Sequence, residues 1–210
     1  MTPSRRWLAE AVDASSLAAL SREGVRAVAL PLHGARAEVH DWVAGPPGAF
    51  RATLDALQTA RSLQLEVTAW TLLTRSNARV LGELPSLLAA RAVVSWIVVV
   101  PPLEDDGSAR TRVVPRFGLG VPSALAALDA AEKRGLRARI LGAPRCTLGR
   151  FADRAVPSPA RSYAPVCEGC PSRSTCPGVD AAYLARFGDH ELRPAPLVAP
   201  GAPLAFEGAP

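Results

Sequence analysis

Four cysteines carry the chemistry of this chain: Cys146, and then Cys167, Cys170 and Cys176 within CEGCPSRSTC. Their spacing is C-x20-C-x2-C-x5-C, and the chain contains no other cysteine. Three thiols from one short loop and a fourth from a separate segment can meet at one site. Cys170 and Cys176 each precede a proline, which fixes φ there and removes a competing amide donor. Four clustered thiols suit a soft metal centre, either an iron–sulfur cluster or a zinc ion. The single C-x2-C knuckle favours the cluster, because structural zinc commonly uses two. A disulfide framework belongs to secreted chains, and no basic segment followed by an apolar one opens this sequence.

Composition narrows the functional classes. A hydrophobic share of 49% over 210 residues supports a packed domain with a small appendage. The net charge is +5, but Lys133 is the only lysine and the arginines are scattered. No basic stripe marks a nucleic-acid surface, so no nucleic-acid partner is expected. The longest apolar run, residues 92–102, is too short to cross a bilayer, so no membrane role is expected and the protein is placed in the cytoplasm. No GxGxxG, P-loop, GxSxG or HExxH occurs, which leaves nucleotide hydrolysis, serine hydrolysis and zinc proteolysis without support.

The elements that must position the thiols alternate. Apolar runs at residues 25–32, 65–73, 93–100 and 136–141 read as strands, and 93–100 is apolar on both faces and so central. Between them lie helical patterns. Ser15 or Ser16 caps the first, which Gly24 ends. A second follows Gly48 with Phe50, Leu54 and Leu57 on one face. Ser76 opens a third that runs to Ala90, and a fourth begins with Pro122 in its first turn and ends at Gly135. The fold class is therefore α/β: an incomplete parallel (β/α) barrel of about four units, followed by a Cys-rich, loop-dominated segment. Links from helix into strand are short, at Gln64, Arg91-Ala92 and Gly135. Links from strand into helix are long, over residues 33–48 and 101–121. Long loops at the carboxyl ends of parallel strands form the functional rim in such architectures, and Cys146 leaves the last strand there.

The segment VALPLHGARAEVHDWVAGPPGAFRATLDALQTARSLQLEVTAWTLLTRSN resembles the second half of a radical S-adenosylmethionine (radical SAM) partial barrel. The shared features are a strand ending in LHG, a VHD…G…G.F..TLDAL loop and helix, and a strand ending in LLTRSN. CEGCPSRSTCPGVDAAYLARFGDHEL is similar to the auxiliary-cluster segments of the SPASM or twitch kind. The resemblance spans residues 17–193. It implies a partial barrel at 1–143 and an auxiliary cluster segment at 144–193, while the Pro-, Ala- and Gly-dominated tail at 194–210 is expected to be disordered from its composition. It also implies that Cys146, Cys167, Cys170 and Cys176 ligate a [4Fe–4S] cluster, and that His33 and Asn77 touch S-adenosylmethionine. The C-x3-C-x2-C loop that holds the catalytic cluster has no counterpart, and Pro31 stands where the family has serine before HG.

On that resemblance the chain is a carboxyl-terminal portion, completed by a partner subunit or a missing N-terminal segment, with a peptide or small molecule as substrate. Residues 25–32 are then an unpaired edge, prone to association. The alternative is a non-enzymatic four-cysteine module, binding zinc or a cluster, that serves assembly or binding. Other polar residues carry weaker signals. His33, His40 and Asp41 can equally set the turns before Gly34 and Gly45. His190 reads as a solvated residue, and Glu104, Asp105 and Asp106 as a solvated turn. Trp70 and Trp96 read as core, and Trp42 as a loop residue able to cover a ligand.

Overall fold

A computed structural model describes residues 4–8, 11–103, 113–156, 162–201 and 206. Glu104, Asp105 and Asp106 lie outside the described residues. Six parallel strands form one curled sheet in chain order, the open half of a barrel. They are β1 (Ser4–Trp7), β2 (Val25–Pro31), β3 (Glu66–Leu72), β4 (Ser95–Val99), β5 (Arg137–Leu141) and β6 (Ala155–Val156). The helices are α1 (Ala14–Arg22), α2 (Ala37–Ala44), α3 (Ala49–Ser62), α4 (Leu84–Ala90), α5 (Phe117–Glu132) and α6 (Ala181–Phe187). No helix of the described chain is long and apolar enough to cross a membrane.

The strands pack by alternation. One face of the sheet presents Val28, Leu30, Ala69, Trp96, Val98, Ala138 and Ile140 to the helices, all of them buried. The helices answer with Leu17, Leu57, Leu88, Ala124 and Leu128. Each fully buried aliphatic side chain contributes roughly 1.5–3 kcal/mol. The concave face has its own apolar set: Ala27, Ala29, Trp70, Ile97, Val99, Leu141 and Val156, closed by Phe206. β4 is buried along its whole length, as an apolar run on both faces requires.

The short helix-to-strand links are Schellman turns with one left-handed residue each. Gln64 has φ 57°, Ala92 φ 56° and Gly135 φ 75°. In each, the next amide returns to a carbonyl five residues back: Leu65 to Ala60, Val93 to Leu88, Leu136 to Ala131. Asp13, rather than Ser15 or Ser16, caps α1, its carboxylate accepting the Ser16 amide at 2.8 Å. The third helical stretch divides into a 3₁₀ turn (Ala78–Glu83) and α4, with Pro85 in the first turn of α4. α5 begins at Phe117, five residues before Pro122.

Two strands exceed the four legible in the sequence, and they correct the edge expectation. β1 pairs with β2 in parallel, with Arg5 opposite Ala27 and Trp7 opposite Ala29. Residues 25–31 are therefore interior to the sheet. β1 is the outer strand instead, short and carrying exposed Arg5 and Arg6. Short, charged edges resist pairing with other chains, so the physical argument for self-association is lost.

Candidate metal centre

Cys146 reaches the site through a tight exit from β5. Gly142 follows the strand at φ 89°, and a Cβ there would drive into the Val100 carbonyl. Only glycine allows that approach. The chain then turns through Arg145–Thr147, one 3₁₀ turn, which places Cys146 half-buried. The other three thiols come from a loop closed by an antiparallel bridge between Ser162 and Val179. Inside it the turns are stacked, with the Cys170 amide on the Cys167 carbonyl at 3.2 Å and the Arg173 amide on the Cys170 carbonyl at 3.0 Å. Tyr163 donates to the Cys176 carbonyl at 2.9 Å, and Arg173 lies over its ring at 4.9 Å.

All four thiols are free and half-buried, and all four line one partly open cavity. Arg145, Arg173 and Arg193 also line it, and no carboxylate does among the described residues. Backbone amides donate to two of the sulfurs: Ala195 to Cys170 at 3.4 Å and Gly178 to Cys176 at 3.5 Å. Burial pushes the Cys146 thiol up, with the backbone at Arg193 partly opposing it and the thiols of Cys176 and Cys167 adding to the rise. The thiols ring a cavity without converging on a point. Among the described residues, no group of three or more His, Cys, Asp or Glu side chains forms a ready site for a metal ion.

The tail lies against this site. Its composition predicts disorder, yet the described part is tied down through residue 201. Besides the Ala195 amide on Cys170, Ser172 donates to the Pro196 carbonyl, Arg145 to the Val198 carbonyl, and the Gly201 amide to the Asp153 carbonyl at 2.9 Å. Beyond it, Phe206 is buried on the concave face. A Pro- and Ala-rich segment is held here by its backbone groups, which composition does not reveal.

His33 and Asn77 sit together at the carboxyl ends of β2 and β3, away from the cysteines in sequence and fully buried. The Asn77 side-chain amide donates to the His33 and Leu72 carbonyls at 2.9 and 2.7 Å and accepts from the Thr74 amide at 2.9 Å. His33 accepts the Leu72 amide on Nδ1 at 3.3 Å, and its own amide donates to Nδ1 of His40 at 3.0 Å. The two imidazoles stack at 5.3 Å, with Trp70 edge-on to His33 at 5.1 Å. Burial, and then the charge of His40, lowers His33 to about 3. Burial also lowers His40, with Asp41 opposing. Each residue thus locks the rim through backbone contacts. His40 and Trp42 belong to α2 instead of a loop, and Trp42 is exposed. His190 is exposed, with Nε2 2.7 Å from Nη2 of Arg116.

Sequence reasoning missed Arg145, Tyr163 and the tail as parts of the site. For Arg145 a signal existed: it is the one charged residue in ILGAPRC, directly before a cysteine.

No family model matches the chain. No curated protein matches it either. Among solved structures, it is similar to a radical SAM methyltransferase from Sphaerobacter thermophilus (TM-score 0.47, 16% identity, 65% of this chain and 39% of that one). It is also similar to anSMEcpe with bound AdoMet, in a histidine-tagged form (TM-score 0.45, 14% identity, 64% and 39%) and a native form (TM-score 0.45, 15% identity, 65% and 39%). The chain spans about two fifths of the length of these structures. At these scores the likeness carries no argument about activity, and the α/β class rests on the six strands themselves.

Proposed function

We propose that this chain is an iron–sulfur protein on a radical SAM-type partial barrel, whose four cysteines hold an auxiliary [4Fe–4S] cluster. The observation that supports it is that Cys146 lines one cavity together with Cys167, Cys170 and Cys176, from segments twenty residues apart. The donor set fits the group: four thiolates satisfy a four-iron cluster, and amide donors to the sulfurs are its usual surroundings. A zinc ion at its ordinary ~2.3 Å bonds would draw four sulfurs to within about 3.8 Å of one another. The single C-x2-C knuckle favours the cluster, since structural zinc commonly uses two.

When bound, such a cluster supplies one-electron transfer or an anchoring point for substrate. The chain's own part is to hold it. The β5 exit fixes Cys146, the bridged loop and Tyr163 fix the other three, and the tail covers Cys170. The residues do not fit the catalytic cluster of the radical SAM family. The connection from β1 to α1, residues 8–13, reads LAEAVD, has no cysteine and is shorter than a C-x3-C-x2-C motif. Cleavage of S-adenosylmethionine therefore needs that cluster from a partner subunit or a further segment, acting on a peptide or small molecule. The second reading, a non-enzymatic binding or assembly module, is favoured by that same loop.

The test is metal analysis. Reconstituted with iron and sulfide without oxygen, the chain should bind about four irons, and each Cys→Ser change should lower that number. The loaded chain, given S-adenosylmethionine and dithionite, should form no 5′-deoxyadenosine. Recovery of one zinc and no sulfide would overturn the cluster assignment.

A further inference from the structure

Arg145 is the anomaly of the site. Its residue is only 2% exposed, yet arginine is almost never fully buried without a partner. Its Nε donates to the Thr175 carbonyl at 3.0 Å and its Nη1 to the Val198 carbonyl. Both acceptors are neutral. Among the described residues no carboxylate forms an ion pair with it, whereas other arginines make ion pairs elsewhere on the chain. A buried cation without a counter-ion is strongly disfavoured. Arg145 is nonetheless built in three ways: it adjoins Cys146 in sequence, lines the four-thiol cavity, and is clamped between the cysteine loop and the tail. Arg173 and Arg193 line the same cavity but are exposed, so water solvates them.

An anion held in the four-thiol cavity would supply that counter-charge. A cluster held by four thiolates is a net anion in its oxidised state and gains a further negative charge on taking up one electron. We propose that Arg145 is the fixed counter-charge of the four-cysteine site and sets the potential at which the site accepts an electron. The inference rests on the cluster assignment above and deepens it. Its guanidinium remains charged at all ordinary pH and is pinned by two carbonyls, so its field on the cavity is permanent. A cation that attracts the reduced form more than the oxidised form makes reduction easier, and the low-polarity setting of Arg145 strengthens this relative to exposed Arg173.

Dithionite, a one-electron donor, should be titrated into reconstituted wild type, R145K, R145Q and R173Q, with the cluster absorbance read against a dye of known potential. R145Q keeps hydrogen-bond donors and loses the charge. At the wild-type midpoint its reduced-to-oxidised ratio should fall at least tenfold, a shift of about 59 mV for one electron. R145K, which keeps the charge and loses the fork, should stay within about threefold of wild type, and R173Q, at a solvated lining residue, should shift less than R145Q. Wild type that loads iron while R145Q keeps its midpoint overturns the inference and leaves the cluster assignment standing. R145K and R145Q shifting equally overturns it too, since a purely structural role would treat them alike. If R145Q loads no cluster, R145K decides: loading with a wild-type midpoint supports the counter-charge, and failure to load overturns it. Wild type that takes up no iron overturns both readings.

Discussion

Mild acid should destabilise this fold through His33. The ring is 3% exposed, its Nδ1 accepts the Leu72 amide, and it stacks on a second imidazole. A proton on Nδ1 would remove that acceptor and place a charge against His40 in a desolvated pocket. The folded value is therefore lowered to about 3 from 6.5. The unfolded chain takes up the proton as pH falls below 6.5, and the folded chain does not. Stability is thus fully present above 6.5 and declines until pH approaches the folded value. At 1.36 kcal/mol per unit, His33 alone removes about 2.5 kcal/mol between pH 7 and pH 4.5. That is a large part of an ordinary domain's 5–15 kcal/mol. Urea denaturation across this range, for wild type and His33→Asn, isolates the residue: asparagine can accept the Leu72 amide and has no titration. Wild type should lose about 2.5 kcal/mol more than the variant over the interval. Parallel pH slopes for the two proteins would refute the reasoning, because every other titrating group is common to both.

Two substitutions test the turns that deliver the site. Ala92→Gly removes a left-handed alanine costing ~1–2 kcal/mol and adds ~0.4–1 kcal/mol of unfolded-chain entropy, so stability should rise by up to ~1.6 kcal/mol, read as a higher urea midpoint at unchanged slope; a lower midpoint would show that the strain is not there. Gly142→Ala adds both a positive-φ penalty and a collision with the Val100 carbonyl, and should cost at least ~3 kcal/mol and lower iron uptake through the displaced Cys146 turn; melting within a degree of wild type would disprove it.

The parts of the fold that could be read from sequence are those with a long period. β2 to β5 and the helices between them carry apolar repeats that only one arrangement buries, and their positive-φ links fall at Gln64, Ala92 and Gly135. β1 and β6 could not be read. Ser4–Trp7 is SRRW, a polar run with two arginines, and Ala155–Val156 is a single pair of residues. Each becomes a strand because the neighbouring strand offers an unsatisfied edge, a tertiary cause that leaves no local pattern. The cysteines were legible because thiol spacing is rare enough to be informative alone. Arg145 was signalled only by standing directly before Cys146; its burial, which sets it apart from most of the twenty-four basic residues, has no local pattern.

β1 also changes what the missing three-cysteine motif means. With four strands, the absent loop reads as part of an absent half. With six, β1 is present, and the connection that leaves it runs directly into α1 by way of Asp13, whose carboxylate caps the helix. The connection from β1 to α1 spans residues 8–13, contains no cysteine and ends at the Asp13 cap. The concave face beyond it carries an apolar set that includes Phe206, interspersed with buried Thr68, Ser95 and Arg139. The β1–α1 connection thus offers no three-thiol site, and the four-thiol cavity lies toward the other end of the sheet order, beyond β5. The four-thiol cavity is where the proposed cluster would sit, and holding it there would be this chain's part in electron transfer or substrate anchoring.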